Sequence, residues 1–333
     1  MLKVGIVGSG FGLYGLLPAF NSTKKCKVVS ICGKKTERLT SYCRKIGLKN
    51  IYTDWRVMLD NENLDAVAVA VIPGAQYEIA KEAISKGINI FAEKPLALNY
   101  KQAYELFILA EKKKIIHMID FIFPEIDAWQ KVKQMLDKNA FGKLEHVSVN
   151  WDFESYDIRN NISSWKTNVK EGGGALSFYF SHSLYYLEYY AGEILDVKSI
   201  FSYSKESING GETGVDLLLN FKNRVSGYAH ICCNSKGLQR HQLIFQCEKG
   251  LIILGNENSM ADNFYIKTYN QKGIGGVGSF KSANNEENLD ERVKIVKKLS
   301  SRFVNSCLSN KQAMPSFKEG ARVQKLIEII RSK

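Results

Sequence analysis

Up to Phe121 the chain alternates short apolar runs with helix-like segments, an order that leaves few folds open. Val4–Val7 passes through a glycine turn into a helix that runs through Phe20. Val28–Cys32 is followed by a polar helix from Thr36 to Ile46. Ala66–Ile72 reads AVAVAVI, a continuous apolar strand of the kind buried on both faces of a sheet. Helix Ala75–Lys86 leads to Asn89–Ala92, and helix Tyr100–Lys113 leads to Ile115–Phe121. This β-α-β-α order predicts a parallel, doubly wound α/β sheet with right-handed crossovers over residues 1–121.

Beyond Phe121 the pattern changes. A helix (Ala128–Lys138) and a strand (Leu144–Trp151) precede a polar loop and a second helix, Ala175–Ala191. Strand-like runs then follow at short spacing: Val197–Tyr203, Val215–Phe221, Val225–Cys232, Gln242–Cys247, Leu251–Leu254 and Phe264–Tyr269. Strands without intervening helices predict an open, mostly antiparallel sheet. Helices Leu289–Leu308 and Lys318–Arg331 close the chain, so residues 122–333 read as an α+β domain for substrate binding and oligomerisation. The glycine- and asparagine-rich stretch 270–286 reads as a loop. An open sheet face is expected to be covered by a second copy, giving a homodimer or homotetramer.

The glycine turn after the first strand reads Gly8-Ser9-Gly10-Phe11-Gly12-Leu13. In such a turn the first glycine permits the bend. The second lets backbone approach a pyrophosphate at the positive end of the following helix. Strict G-x-G-x-x-G would put glycine at Leu13, which Gly12 and Gly15 flank. Between a strand and a helix at the start of a βαβ series, the motif predicts a Rossmann dinucleotide site. The second strand ends in Cys32-Gly33-Lys34-Lys35, with Arg38 a helical turn on. An acid there would mark NAD through the ribose hydroxyls. Here no carboxylate repels a 2′-phosphate, and Lys34, Lys35 and Arg38 could attract one. NADP(H) is therefore favoured, with NAD(H) left open. Ile72 and Pro73, in the loop after the third strand, are placed against the cofactor as well.

Composition excludes several other classes. In 333 residues, 45% hydrophobic and 24% charged, no apolar run approaches the ~20 residues of a membrane-spanning helix. Lys3 and the short run Val4–Val7 do not make a signal peptide, so a cytoplasmic location is expected. Seven scattered cysteines without a C-x-x-C pair read as reduced thiols, and no metal site is expected. The formal charge of +12 is spread along the chain, with short clusters such as Lys112-Lys113-Lys114, and no nucleic-acid motif accompanies it. It reads as a solvated lysine surface, with attraction of a phosphorylated ligand second; neither nucleic acid nor membrane is expected as a partner.

At Ala92-Glu93-Lys94-Pro95, with the glycine loop and Pro18-Ala19-Phe20, the chain resembles the glucose-fructose oxidoreductase / inositol dehydrogenase / MocA (Gfo/Idh/MocA) family of NAD(P)-dependent oxidoreductases. The resemblance continues through Trp165-Lys166, Gly172-Gly173-Gly174, His182, Pro315-Ser316-Phe317 and Gly320. It implies that Glu93, Lys94 and Pro95 border the cofactor and that the bond before the proline is often cis. It places Lys94 between nicotinamide and substrate, where an ammonium stabilises charge on the reacting oxygen. It also implies a glycine run followed by a helix bearing Asp and His four residues apart, the histidine acting as acid/base. Gly172-Gly173-Gly174 and His182 match, but the aspartate position is Phe178, and the acid often found three residues after the histidine is Tyr185. Trp165 and Lys166 would lie at the cleft in such a fold, with Arg159 joining them on an anionic substrate group and Tyr179 a candidate for proton transfer. Gln76 stands where many relatives carry histidine.

The resemblance implies hydride transfer between nicotinamide and a carbinol or ketone of a sugar, polyol or nucleotide-linked sugar. Two alternatives are a non-catalytic NAD(P)-binding regulator of the same fold and a reductase of a non-sugar ring compound. The missing aspartate favours the first, and the aromatic helix around His182 the second.

Overall fold

A computed structural model describes the chain from Met1 to Lys333 except Glu206, Ile208 and residues 281–289; for Ile274 and Phe280 it describes the backbone alone. The chain forms two compact units, Met1–Ile122 with Glu287–Lys325, and Phe123–Glu286 with Leu326–Lys333.

In the first unit β1 (Leu2–Val7) is followed by α1 (Leu17–Asn21), β2 (Cys26–Cys32), α2 (Glu37–Lys45), β3 (Asn50–Tyr52) and α3 (Trp55–Asn61). Then come β4 (Ala66–Val69), α4 (Pro73–Ser85), β5 (Asn89–Ala92), α5 (Tyr100–Lys113) and β6 (His117–Ile119). The strands form a parallel six-stranded sheet in the order β3-β2-β1-β4-β5-β6. This is the doubly wound order expected, with the strand order reversing beside β1. β4 is wholly buried, as its uninterrupted apolar run requires. Thr36 caps α2 through its hydroxyl and Asn99 caps α5 through its amide oxygen, each accepting a backbone N–H. α4 begins at Pro73, earlier than the expected Ala75, because proline fits the first helical position without losing a hydrogen bond. β3 went unanticipated; three residues, one of them Asn50, carry no readable alternation.

In the second unit α6 (Asp127–Asp137), β7 (Leu144–Asp152), the single turn α7 (Tyr156–Arg159) and α8 (Ser181–Ala191) precede a run of strands. These are β8 (Ile194–Ser202), β9 (Gly214–Phe221), β10 (Ser226–Cys232), β11 (Arg240–Cys247), β12 (Gly250–Glu257), β13 (Phe264–Asn270) and β14 (Gly273–Phe280). They make an eight-stranded sheet, β14-β13-β12-β11-β7-β10-β9-β8, in which β7 and β10 run parallel and the other neighbours antiparallel. The expected loop 270–286 is corrected here: Gly273–Phe280 is the edge strand β14, paired with β13, and residues 281–286 lie outside the described residues. Backbone pairing overrides the poor strand propensity of its glycines. Trp129, Tyr186, Phe245 and Phe264 are fully buried in the core of this unit. His230 contacts the carboxylates of Asp216 at 2.8 Å and Asp152 at 3.3 Å, and Arg240 pairs with Asp152 at 2.6 Å, linking β9, β10, β7 and β11; Ile200 and Leu218 stand exposed.

Two helices end the chain, α9 (Val293–Ser309) and α10 (Phe317–Ser332). The expected start of the first of these, Leu289, lies outside the described residues. A single cut after residue 121 would give α9 to the second domain, but α9 packs within the first unit. The Thr23 and Ser300 hydroxyls are 2.7 Å apart and buried. Phe20, Phe91 and Phe303 meet edge-on with centroids 5.3 to 6.2 Å apart. Burying each ring contributes roughly 1.5–3 kcal/mol, enough to fix the helix there. The start of α10 adds to the β6 edge, where Phe317 donates its backbone N–H to His117 Nδ1.

Candidate functional site

The glycine loop follows directly from β1, and each glycine has a different reason to be there. Gly8 adopts φ 129°, and a Cβ on it would lie 2.2 Å from the Ala70 carbonyl oxygen, so no side chain fits. Gly10 faces open space, with no protein atom within 4 Å of where a Cβ would be. The close approach inside the helix falls on Gly15, over which the Phe11 ring lies 2.3 Å from a would-be Cβ. Leu13, where the strict motif has glycine, is buried in the core instead. A π-turn, Gly12–Leu16, opens α1 and accommodates this packing.

At the end of β2, Gly33 packs on the loop itself: a Cβ there would meet Ser9 at 2.8 Å. Lys34, Lys35 and Arg38 are exposed, and the Arg38 guanidinium lies 5.5 Å from the centre of the Tyr14 ring. Ile72, 41% exposed, precedes the buried Pro73 at the start of α4.

The Glu93-Lys94-Pro95 turn leaves β5 with a cis Lys94–Pro95 bond, as the resemblance implied. It is held by a residue with no role expected of it from the sequence. Gln76, fully buried on α4, donates its amide N–H groups to the carbonyl oxygens of Glu93, Pro95 and Leu96 at 2.5, 2.9 and 3.2 Å. The Glu93 carboxylate in turn accepts the Lys94 backbone N–H at 3.1 Å. Only the fold could reveal this, because the partners stand 17 to 20 residues from Gln76 in the chain.

Two further residues escaped the sequence reading. Asp120, one residue past β6, is 1% exposed and donates its backbone N–H to the Ala92 carbonyl oxygen at 2.9 Å. Burial raises its pKa well above the usual carboxylate range and the Glu93 charge adds to this, while Arg292 and Lys94 act the other way. Arg292, at the start of α9, places its guanidinium 4.4 Å from the centre of the Phe11 ring and pairs with Asp290 through two bonds of 2.8 Å. Burial opposes the charge on Asp290, but the Arg292 bonds outweigh it and hold its pKa low.

In the second unit the glycine run is again dictated by space. Gly172 and Gly174 have positive φ, and Cβ atoms on Gly173 and Gly174 would strike the Trp165 carbonyl oxygen and the Glu212 carboxylate at 2.1 and 2.4 Å. Glu212 is itself fixed by Arg331 at 2.9 Å and by the Leu176 N–H at 3.1 Å. A π-turn, Ala175–Phe180, leads into α8, and His182 lies on its first turn, 8% exposed, with its ring edge-on to Phe123 at 5.0 Å.

Trp165, Lys166, Phe178 and Tyr179 come together. The Phe178 ring is edge-on to Trp165 at 5.1 Å and to Tyr179 at 4.5 Å, and Lys166 Nζ lies 5.6 Å from its centre. Lys166 also reaches the buried Asp157 carboxylate at 3.5 Å. Arg159 is exposed and paired with Glu154 at 2.7 Å. Tyr186 is interior, its hydroxyl linking Ser183 at 2.7 Å and His241 at 3.0 Å. Burial pushes the His241 pKa down to about 3, so this histidine is neutral, and it stacks on Trp151 at 4.4 Å. Tyr185 is buried beside Tyr189.

Among the described residues no cluster of three or more His, Cys, Asp or Glu is placed to hold a metal ion, and no helix is long and apolar enough to cross a membrane.

Comparison with known proteins bears on these two sets of residues together. Residues 2–121 match the oxidoreductase family with an NAD-binding Rossmann fold, and residues 129–253 match the Gfo/Idh/MocA C-terminal domain. An uncharacterized oxidoreductase of Synechocystis is 27% identical over 269 residues, covering 77% of this chain and 72% of its own. Levoglucosan dehydrogenase of Pseudarthrobacter phenanthrenivorans is 26% identical over 210 residues, covering 60% of this chain and 54% of its own. A solved levoglucosan dehydrogenase, in complex with NADH and L-sorbose, superimposes with a TM-score of 0.85 at 19% identity, covering 99% of this chain and 96% of that one. A 3-ketoreductase from Actinomadura kijaniata, in complex with NADP and TDP-benzene, gives 0.80 at 17% identity, covering 99% and 97%. With both of its halves matched, the chain belongs to the Gfo/Idh/MocA family of NAD(P)-dependent oxidoreductases.

Proposed function

We propose that this protein transfers a hydride between a nicotinamide cofactor, NADP(H) in preference to NAD(H), and a carbinol or ketone of a sugar-like substrate. The observation that carries the reading is the Glu93-Lys94-Pro95 turn, held in one geometry by the buried Gln76 amide. A turn so fixed gives Lys94 a rigid base from which to aim an ammonium at the reacting oxygen.

The first unit fits a dinucleotide. Gly10 leaves open space at the mouth of the first helix, and Gly8, Ser9, Phe11, Gly12 and Gly33 build the loop around it. Lys34, Lys35 and Arg38, exposed at the end of β2, are assigned to a 2′-phosphate, and Ile72, Pro73, Glu93 and Pro95 to the rest of the cofactor. When bound, the nicotinamide supplies or accepts the hydride. His182 is assigned the substrate hydroxyl proton. Trp165, Lys166 and Tyr179 are assigned to substrate, and Arg159, paired with Glu154, to an anionic group of that substrate once the pair opens.

A sugar substrate is supported by relatives named levoglucosan dehydrogenase, D-apiose dehydrogenase and a dTDP-sugar 3-reductase. The test is nicotinamide absorbance with NADPH or NADP⁺ against a panel of sugars, polyols, keto sugars and nucleotide-linked sugars. Turnover on one class with loss in Lys94→Ala supports the reading. Cofactor binding without turnover on any class favours the regulator, a second reading that the aromatic Phe178 in place of the expected aspartate recommends.

A further inference from the structure

We propose that Arg292, at the start of α9, is a cofactor-binding residue whose guanidinium grips the dinucleotide pyrophosphate and completes the site that the glycine loop begins. The inference rests on the dinucleotide reading of that loop given above.

The helix after β1 and α9 lie side by side in the first unit. Phe11, where the first of them opens, meets Arg292, where α9 opens. Phe20 and Thr23, at the far end of the first, meet Phe303 and Ser300, two to three turns into the second. The two helices therefore point the same way. The first begins at the carboxyl edge of the parallel sheet, so α9 begins there too, where ligands of doubly wound folds bind.

Arg292 lies on the glycine loop itself. Its guanidinium carbon is 4.4 Å from the centre of the Phe11 ring. Phe11 directly follows Gly10, where no protein atom stands within 4 Å of a would-be Cβ. The Phe11 ring is edge-on to Tyr14 at 5.5 Å, and Tyr14 in turn carries Arg38 at 5.5 Å. Two rings thus separate two arginines along the opening of the helix. NADPH carries two anionic groups, a 2′-phosphate, to which Arg38 is assigned, and a pyrophosphate, which Arg292 is placed to meet.

The donors of Arg292 fit a phosphate. A guanidinium has five N–H groups. The Asp290 carboxylate accepts one from Nε and one from Nη2, each at 2.8 Å. Among the described residues no acceptor takes the other three, and the side chain is 34% exposed. Those three, on Nη1 and Nη2, form the second edge of the fork, which matches two phosphate oxygens. Asp290 also accepts the Arg292 backbone N–H at 3.0 Å. With one edge held by Asp290 and one face on Phe11, the guanidinium is oriented before an anion arrives, and little side-chain freedom is lost on binding.

The test is calorimetric titration of the wild type, Arg292→Gln and Asp290→Asn with NADPH, NADH and ADP-ribose. The last keeps the pyrophosphate and lacks the nicotinamide. Arg292→Gln is expected to raise all three Kd values at least about tenfold, the size of one charge-assisted contact. Asp290→Asn is expected to lower all three about threefold, because it removes an anion from beside the ligand and keeps an acceptor for the guanidinium. A pair that only shaped the loop would weaken binding when either member was changed. Equal Kd in the wild type and Arg292→Gln overturns the proposal. So does a rise confined to NADPH, a rise confined to the two nicotinamide cofactors, or a rise in Asp290→Asn. Where Arg292→Gln fails to fold, the double variant Asp290→Asn/Arg292→Gln leaves no charge unmatched. Its Kd values should then stand about tenfold above those of Asp290→Asn, and equal values overturn the proposal. A wild type that binds none of the three ligands removes the dinucleotide reading and the proposal with it. A wild type that binds them no more tightly than Arg292→Gln removes the proposal alone.

Discussion

Gln76 and Glu93 stand 17 residues apart in the chain, yet the amide nitrogen of the first lies 2.5 Å from the carbonyl oxygen of the second. Replacing Gln76 by leucine strips donors from the carbonyl oxygens of Glu93, Pro95 and Leu96 while keeping similar bulk. Each buried group left unmet costs about 1–3 kcal/mol, so Tm should fall clearly and kcat should fall further than cofactor affinity. Gln76→Glu should be worse than Gln76→Leu, because an acceptor would then face three acceptors. Calorimetry with steady-state kinetics checks both, and equal Tm for wild type and Gln76→Leu would show that the turn does not depend on this amide.

Gly8 and Gly10 separate folding from binding. Gly8→Ala would force a methyl group to 2.2 Å from a backbone oxygen at φ 129°, so the variant should be strongly destabilised. Gly10→Ala meets no protein atom and should melt like the wild type. Its methyl group would instead stand where a pyrophosphate approaches, and NADPH affinity should drop at least tenfold. Unchanged affinity in a normally folded Gly10→Ala would remove the cofactor loop from this position.

Much of the first unit was legible from its residues. Continuous apolar runs such as Ala66–Val69 signal buried parallel strands, and the glycine loop marks where their helix begins. What was not legible depends on contacts between distant residues. Phe303 joins Phe20 and Phe91 across most of the chain, which no local period records. Gln76, Asp120 and Arg292 are ordinary residues in sequence; Gln76 meets the turn after β5, Asp120 meets Ala92 and Arg292 meets the Phe11 ring only once distant segments come together. Phe178, at the position where the resemblance implies an aspartate, is half-buried among Trp165, Lys166 and Tyr179, a grouping that no local spacing records.

The exposed cations after β2 should set cofactor choice. Lys34→Ala removes a charge that only a 2′-phosphate would use, so Kd for NADPH should rise about tenfold, by the worth of one charge-assisted bond. Kd for NADH should hardly move. Fluorescence titration of both cofactors measures this, and the NADPH preference should shrink as salt is raised. A wild type that binds NADH as tightly as NADPH contradicts the assignment of Lys34, Lys35 and Arg38.

Lys94→Ala should lower kcat by ~10²–10³, the usual effect of losing one donor aimed at a developing oxyanion, with dinucleotide binding nearly intact. Lys94→Arg should rescue little, since the planar guanidinium is larger and its donors lie elsewhere. The comparison requires kcat and cofactor Kd for all three forms. Near-normal kcat in Lys94→Ala would refute the role whatever happens to KM.

His182 is the remaining assignment, and the aromatic side chain four residues before it makes the test sharp. If His182 moves the substrate proton, the pH–rate profile should show a histidine limb that disappears in His182→Ala together with most of the activity. Phe178→Asp should then move that limb to higher pH, because a carboxylate one helical turn away favours the imidazolium. The stability cost of Phe178→Asp should be moderate rather than severe. The ring is only half-buried, and Lys166 Nζ, 5.6 Å from its centre, offers the new carboxylate a counter-charge. If Tyr179 carries the proton instead, Tyr179→Phe should abolish turnover while His182→Ala keeps it. Profiles of the wild type, His182→Ala, Tyr179→Phe and Phe178→Asp therefore separate the two donors, and substantial activity in His182→Ala with an unchanged profile would end the case for His182.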